Sequence, residues 1–142
     1  MKFATELPVR FGEIDQAGVV YYPRFFHYFH QAFEEWFRQA LGTPYPDLVL
    51  KEGIGFPSVR VESEFMKPLR YGDRARVQIE VIDIGRASLT LRYELYRMPD
   101  DVLSARATIK TVAIENASFT SVPIPDAWRQ RFERFRAAAS KA

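Results

Sequence analysis

The feature that most constrains the fold is a dense band of aromatic residues between positions 23 and 40. Apolar residues recur there at the three- and four-residue spacing of one face of an α-helix. They are Phe25, Phe26, Phe29, Ala32, Phe33, Trp36, Phe37 and Ala40. Pro23 suits the start of a helix because it has no N–H to satisfy, and Gly42 with Pro44 ends it. A face this wide needs a large apolar partner, so we expect a curved sheet wrapped over the helix.

Much of the remaining chain alternates apolar and polar residues, the pattern of strands that bury one face. The alternating segments are 3–11, 58–66, 74–84, 87–97 and 102–114, with Leu89, Leu91, Tyr93 and Leu95 facing inward in the fourth. Short turns separate the last four segments, so we expect consecutive hairpins in an antiparallel sheet. A helical turn near 46–50 and a C-terminal helix after Pro125 complete the order β-α-β-β-β-β-α. This order predicts a single α+β domain over residues 1–142.

Composition excludes several classes of protein. The chain has 142 residues, 47% hydrophobic and 27% charged, which is ordinary for one globular domain. No apolar run approaches the ~20 residues of a membrane-spanning helix, and the first residues are too polar for a signal peptide. The absence of cysteine excludes disulfides and thiolate zinc sites, and we expect a cytoplasmic protein.

The charge distribution suits an anionic ligand without identifying one, since the net charge is only +2. The densest group of cations lies near the C-terminus and comprises Arg129, Arg131, Arg134, Arg136 and Lys141. Trp128, Phe132 and Phe135 are interspersed with them at helical spacing. We therefore interpret these cations as the solvated face of an amphipathic helix, and expect no nucleic-acid partner.

The segment from Phe11 to Pro23 carries the strongest candidate for chemistry. Asp15 begins a turn, 15–18, just ahead of a helix whose first amides have no partner within the helix. A carboxylate beside free N–H groups can attack or deprotonate next to a site that stabilises an oxyanion. The alternative is an ordinary Asx turn, in which Asp15 accepts nearby backbone N–H groups. Glu13, in an extended segment, would point the same way as Asp15, either as a surface charge or as a group that perturbs it.

Motifs for other chemistry are missing from the sequence. There is no glycine-rich phosphate loop and no Gly-x-Ser-x-Gly nucleophile elbow. His27 and His30, the only histidines, lie three residues apart on the predicted helix and could both reach one metal. Because no third ligand is evident nearby, we favour surface or boundary positions for both and expect no metal.

Residues 11–25 read Phe-Gly-Glu-Ile-Asp-Gln-Ala-Gly-Val-Val-Tyr-Tyr-Pro-Arg-Phe. This run resembles the signature of the 4-hydroxybenzoyl-CoA thioesterase family, small acyl-CoA thioesterases that include the Tol–Pal-associated bacterial enzymes. Residues 56–57, Phe-Pro, and 67–73, Lys-Pro-Leu-Arg-Tyr-Gly-Asp, are similar to further family motifs. The resemblance covers almost the whole chain. It implies the hot-dog fold, an antiparallel sheet wrapped around one long central helix.

The resemblance also implies a role for each matching residue. Asp15 falls on the catalytic aspartate, which attacks the thioester carbonyl or activates a water for that attack. Tyr22 falls at the helix entrance, where its backbone N–H would hold the carbonyl oxygen. Gly18 and Val19 would shape the loop that admits the acyl group. The basic run that some relatives use to bind the nucleotide phosphates is reduced to Arg86.

The implied function is hydrolysis of a small or medium acyl-CoA, with coenzyme A as part of the substrate and no separate cofactor. Members of this family pair subunits edge to edge, which implies a homodimer or homotetramer with active sites at the subunit contact. Two alternatives stay open. One is a hot-dog dehydratase or hydratase, although these usually pair His with a carboxylate and the turn before the helix has no His. The other is a non-enzymatic binder of acyl thioesters. Many relatives carry His where this chain has Tyr22, so the substrate subgroup is open.

Overall fold

The computed structural model describes residues 2–138. In chain order its elements are β1 (Lys2–Pro8), α1 (Arg24–Gln39), α2 (Tyr45–Leu50), β2 (Ile54–Gly55), β3 (Ser58–Phe65), β4 (Arg74–Ile84), β5 (Ser88–Met98), β6 (Val102–Val112), β7 (Ile114–Glu115), β8 (Thr120–Ser121) and α3 (Asp126–Ala138). The predicted helical turn and C-terminal helix are α2 and α3. The first strand ends at Pro8, earlier than the alternation predicted, and a 3-10 turn, Phe11–Glu13, follows it. Lys141 lies outside the described residues.

A five-stranded antiparallel sheet in the order β1-β4-β5-β6-β3 dominates the structure. β4, β5 and β6 form successive hairpins, as the alternation predicted. β3 instead pairs with β6 at the far edge of the sheet, so the prediction of a hairpin between β3 and β4 is wrong. The connection of residues 66–73 passes the ends of β5 and β6 before it enters β4. A small sheet, β2-β7-β8, lies beside the main one.

The core forms where α1 lies against the inner face of the sheet. The predicted stripe is buried at Phe25, Phe29, Ala32, Phe33, Trp36 and Phe37, with Tyr28 buried in addition. Phe26 is half-buried and Ala40 is exposed. Facing them are the inward residues of β4 and β5, which are Ala75, Val77, Ile79, Val81, Leu89, Leu91, Tyr93 and Leu95. One long helix in the concavity of an antiparallel sheet is the arrangement that the sequence predicted.

The arginines of α3 are not simply solvated. Arg129 donates hydrogen bonds to the carbonyl oxygens of Gly85 at 2.7 Å and Arg86 at 2.9 Å. Arg136 donates to the carbonyl oxygen of Ile82 at 2.9 Å. These contacts attach α3 to the end of β4 and the turn after it, so the prediction of a purely solvated face is wrong at these positions.

β3 alternates in sequence, yet its apolar residues are exposed. Val59 is 59%, Val61 44% and Phe65 43% exposed. The reason is position, because β3 is the outermost strand and no strand in the described part of the chain pairs with its outer side. An open apolar edge of this kind is a surface on which further strands pair.

Among the helices of the described residues, none combines the length and the apolar character that a membrane span requires.

Candidate active site

The Asp15 loop is a tight turn closed by a single antiparallel bridge between Ile14 and Val20. Within it, the Asp15 N–H donates to the Val19 carbonyl at 2.9 Å, and the Gly18 N–H donates to the Asp15 carbonyl at 3.0 Å. Gly18 has φ of 81°, a conformation that glycine adopts without the steric cost of a Cβ. The local sequence therefore specifies the turn, as predicted.

Two sets of contacts hold this loop against the rest of the molecule. The Val20 N–H donates to the Leu69 carbonyl at 2.8 Å, which ties the loop to the connection before β4. Glu13 Oε1 accepts the Tyr28 hydroxyl at 2.7 Å and the Arg10 N–H at 2.7 Å. Burial, reinforced by the bond to Glu13, raises the pKa of Tyr28 well above its usual value, so the phenol stays the donor.

The expected alignment of Glu13 with Asp15 is wrong. Glu13 ends a 3-10 turn instead of lying in an extended segment, and its carboxylate is engaged with α1 through Tyr28. Glu13 is therefore a structural anchor of the loop.

The Asp15 carboxylate combines the two interpretations that the sequence left open. It is half-buried, and its Oδ1 accepts the Ala17 N–H at 2.8 Å, which makes an Asx turn. Nothing within residues 2–138 donates to its other oxygen, Oδ2. One oxygen thus orients the group, and the second is available to attack a carbon or to accept a proton.

The entrance to α1 is more closed than predicted. Pro23 is the N-cap, and the amides of residues 24–26 donate to the carbonyl oxygens three positions earlier, at 2.9, 3.1 and 3.2 Å. The expectation that these first amides lack partners is therefore wrong. In the part of the chain that the structure describes, the N–H groups of Val19 and Tyr22 have no acceptor. The donor left for an oxyanion at this helix entrance is the Tyr22 amide.

An apolar cavity of about 270 Å³ lies between α1 and the sheet. Its walls are Phe26, Phe29, His30 and Phe33 on the helix, with Phe56, Ser58, Val61, Tyr93, Ile109 and Thr111 opposite. The ring of Phe65 links it to the helix entrance, because it lies 5.9 Å from the ring of Tyr22 and 6.1 Å from that of Phe26. At ~1.5 Å per residue, Phe26 is about 6 Å beyond Tyr22 along the helix. The cavity therefore lies about one helical turn beyond the Asp15 loop and the helix entrance.

Sequence reasoning assigned no chemical role to Tyr93. Its inward direction on β5 was predicted, and the structure buries it to 3% exposure in the wall of this cavity. Burial raises the pKa of its phenol, so the group stays protonated. The available signal was a tyrosine in an otherwise aliphatic inward row.

The histidines occupy the surface and boundary positions that we favoured. His27 is exposed, and His30 Nε2 lies 3.2 Å from Glu34 Oε2 at the cavity wall. Across residues 2–138, no group of three or more His, Asp or Glu side chains is arranged to hold a metal ion.

Arg86 lies far from the other predicted site residues. It is exposed in the turn after β4, whereas the Asp15 loop is bonded to the connection before β4. β4 has 11 residues, and at about 3.3 Å per residue it spans roughly 33 Å. Within one chain, Asp15, Gly18, Val19 and Tyr22 share a single loop, and Arg86 is at the opposite end of the sheet.

Comparison with known proteins assigns the chain to a family. The sequence profile of the Thioesterase-like superfamily matches residues 9–132. A 1,4-dihydroxy-2-naphthoyl-CoA hydrolase of Thermosynechococcus vestitus is 32% identical over 118 residues, which cover 83% of this chain and 80% of that protein. The name of this relative agrees with the predicted enzyme class, a thioester hydrolase.

Solved structures agree with the fold. The crystal structure of a 1,4-dihydroxy-2-naphthoyl-CoA thioesterase from Synechocystis is similar with a TM-score of 0.81 at 26% identity, covering 93% of this chain and 96% of that one. That of a DHNA-CoA thioesterase from Staphylococcus aureus gives 0.89 at 21% identity, covering 99% and 94%, and supports the fold alone. The predicted α+β class, hot-dog fold and family resemblance are confirmed. The chain belongs to the thioesterase-like superfamily.

Proposed function

We propose that this protein is an acyl-CoA thioesterase that acts on a small or medium acyl-CoA. The observation that carries the proposal is the Asp15 carboxylate, with one oxygen oriented and the other available, on the loop that leads to the unpartnered Tyr22 N–H. Family membership and the names of relatives that hydrolyse CoA thioesters support the reaction class. The cytoplasmic location predicted from composition is part of this proposal.

In the proposed reaction, Asp15 Oδ2 either attacks the thioester carbonyl carbon or takes a proton from a water that attacks it. Negative charge develops on the carbonyl oxygen, where the Tyr22 N–H stabilises it. One such donor contributes about 3–4 kcal/mol to the transition state in other hydrolases. The tetrahedral intermediate then expels the CoA thiolate. When water is the attacking group, this step gives the free acid directly. When Asp15 attacks, it leaves an Asp15 acyl anhydride, which a water hydrolyses to the acid and the free carboxylate. A thiolate leaves without strong acid catalysis, which suits a loop whose one candidate catalytic side chain is a carboxylate.

We propose that a second copy of the chain completes the site at the open β3 edge. Two β3 strands related by a two-fold axis run antiparallel and cover Val59 and Val61, which one copy leaves exposed. The homotetramer implied by the family resemblance pairs two such dimers.

This pairing gives Arg86 a role. Because the paired strands run in opposite directions, the end of the sheet that carries Arg86 in one copy lies at the Asp15 end of the other. We propose that Arg86 of the partner subunit binds a phosphate of the coenzyme A whose acyl group lies at Asp15. Lys67 and Arg70, exposed on the connection next to the Asp15 loop, add positive charge from the same chain.

The test is release of free thiol from a panel of acyl-CoAs by wild type and Asp15→Asn. We expect kcat to fall at least about 100-fold with an unchanged circular dichroism spectrum, because the amide oxygen can still accept the Ala17 N–H. Asp47→Asn removes a carboxylate on α2 and is the matched control, expected to retain wild-type rates. Equal rates in wild type and Asp15→Asn would remove Asp15 from the mechanism. Binding without turnover would favour the non-enzymatic binder.

The His30–Glu34 pair favours a hydratase as the second candidate, because His30 lines the cavity and its Nε2 lies 3.2 Å from the Glu34 carboxylate. The test is an assay for addition of water to crotonyl-CoA, in which the reaction is monitored through the loss of the enoyl absorbance. A constant absorbance at enzyme concentrations that hydrolyse other acyl-CoAs would exclude it.

A further inference from the structure

Tyr93 stands out among the inward side chains of β5. Its neighbours on the same face, Leu91 and Leu95, are aliphatic and fully buried. The Tyr93 ring faces α1, with its centroid 5.2 Å from that of Phe29. A hydroxyl group is thereby carried into the apolar interior, where it needs a hydrogen-bond partner.

Within residues 2–138 no group donates to the Tyr93 hydroxyl or accepts from it. Among these residues, Trp36 Nε1 is the side-chain polar atom that lacks both a hydrogen-bond partner and any solvent-accessible surface. The Tyr93 oxygen also lacks a partner but retains accessible surface. The accessible space beside this buried residue is the cavity that it lines.

The two other tyrosines packed on the core behave differently. The Tyr28 hydroxyl donates to Glu13 at 2.7 Å, and the Tyr45 hydroxyl accepts the Phe56 N–H at 3.1 Å. Buried polar groups in proteins are nearly always satisfied in this way. The Tyr93 hydroxyl is the exception, and it faces space large enough for a ligand.

Other polar groups of the cavity wall are engaged or lie at its mouth. Thr111 Oγ1 donates to the Leu89 carbonyl at 3.0 Å. His30 is exposed and contacts Glu34 at 3.2 Å. Tyr93 is thus the deeply buried residue of the cavity wall whose hydroxyl has no hydrogen-bond partner within residues 2–138.

The position of Tyr93 suits recognition of the far end of an acyl group. Phe29, which contacts Tyr93, is seven residues beyond Tyr22, or about 10 Å along the helix. An acyl group with its carbonyl oxygen at the Tyr22 amide passes Phe26 and Phe29 before it reaches Tyr93. The wall along this route is built of aromatic rings, which accommodate a flat apolar body.

We propose that Tyr93 is a specificity-determining residue whose hydroxyl binds a polar substituent at the distal end of an aromatic acyl group. This inference rests on the proposed function, because it takes the cavity to be the acyl site of that reaction. Tyr93 makes the site prefer a ring that carries a hydroxyl over the same ring without one, since the unsubstituted ring leaves the tyrosine hydroxyl unpaired.

The test compares kcat/KM for 4-hydroxybenzoyl-CoA and benzoyl-CoA in wild type and Tyr93→Phe. The substitution keeps the ring and removes the hydroxyl. We expect the ratio of the two kcat/KM values, hydroxylated over unsubstituted, to fall about tenfold, the effect of one hydrogen bond. Tyr45→Phe, which removes a half-buried hydroxyl outside the cavity, is the matched control and should leave the ratio at its wild-type value.

Binding separates this inference from the proposed function. Affinities of the same two compounds are measured by calorimetry in the single variant Asp15→Asn and in the double variant that combines Asp15→Asn with Tyr93→Phe. A preference for the hydroxylated compound that is present in the single variant and disappears in the double variant supports the inference even if the wild type hydrolyses nothing. Asp15-dependent turnover with the same ratio in wild type and Tyr93→Phe overturns the inference alone. Binding of neither compound, or equal binding of both, also overturns it.

Discussion

Removing the Tyr28 hydroxyl tests how the Asp15 loop is held. This buried hydroxyl donates to Glu13 Oε1 at 2.7 Å, two residues before Asp15. Hydrogen bonds to charged groups contribute about 1.5–3 kcal/mol. Tyr28→Phe keeps the ring and its edge contact with Phe25 at 6.2 Å. Because the half-buried Glu13 still accepts the Arg10 N–H, we expect a loss of about 1.5–2 kcal/mol, near the lower end of that range.

The assay is urea unfolding followed by circular dichroism at pH 7, with thermal unfolding beside it. We expect a lower urea midpoint at constant m-value and a fall in Tm of about 4–8 °C. Tyr96→Phe is the matched control, because its half-buried hydroxyl lies 3.3 Å from Glu94 Oε2, a longer and weaker bond. Its loss should stay under about 0.5 kcal/mol. Equal losses in the two variants would refute the role of Glu13 as an anchor.

The same bond predicts a pH dependence at alkaline pH. Burial, and then the bond to Glu13, raises the pKa of Tyr28 in the folded state. A raised folded pKa gives stability that is complete below the unfolded pKa of about 10 and is lost as pH rises above it, by up to about 1.4 kcal/mol per pH unit. The other buried tyrosines titrate in both proteins, so the difference in free energy of unfolding between wild type and Tyr28→Phe reports on Tyr28 alone. That difference in free energy should become smaller above pH 10. A difference that stays constant with pH would contradict the raised pKa of Tyr28.

Two further predictions concern the turn and the sheet edge. Gly18→Ala should cost about 1–2 kcal/mol in thermal unfolding, because φ is 81° while the added Cβ meets nothing within 4 Å. Gly12→Ala has equally open space without a positive φ, and a loss as large as that of Gly18→Ala would contradict the backbone explanation. Val59→Asp on the β3 edge should reduce the particle to a monomer of 16.5 kDa in sedimentation equilibrium. Leu50→Asp, at an 80% exposed position on α2, should leave the wild-type mass unchanged, and a monomeric wild type would refute edge pairing.

The sequence by itself determined the local elements. The aromatic stripe predicted α1, and alternation predicted the hairpins of β4, β5 and β6, because helical and strand periodicity report which face of an element is buried. The turn at Gly18 was also predictable, since it depends on the backbone freedom of one residue. The family resemblance then pointed to Asp15 and Tyr22, which the structure places on one loop at the start of α1.

Only the tertiary structure decided which groups meet. Alternation in β3 predicted an inward face but not its neighbour, since backbone hydrogen bonds between strands are the same for any pair of sequences. The pairing with β6 leaves β3 at the open edge, and the length of β4 separates Arg86 from Asp15. Whether a polar atom has a hydrogen-bond partner likewise depends on residues that are far apart in the sequence. Glu13 is bound by Tyr28 from α1, and the Tyr93 hydroxyl lacks any partner within residues 2–138, because each outcome depends on how the helix sits on the sheet.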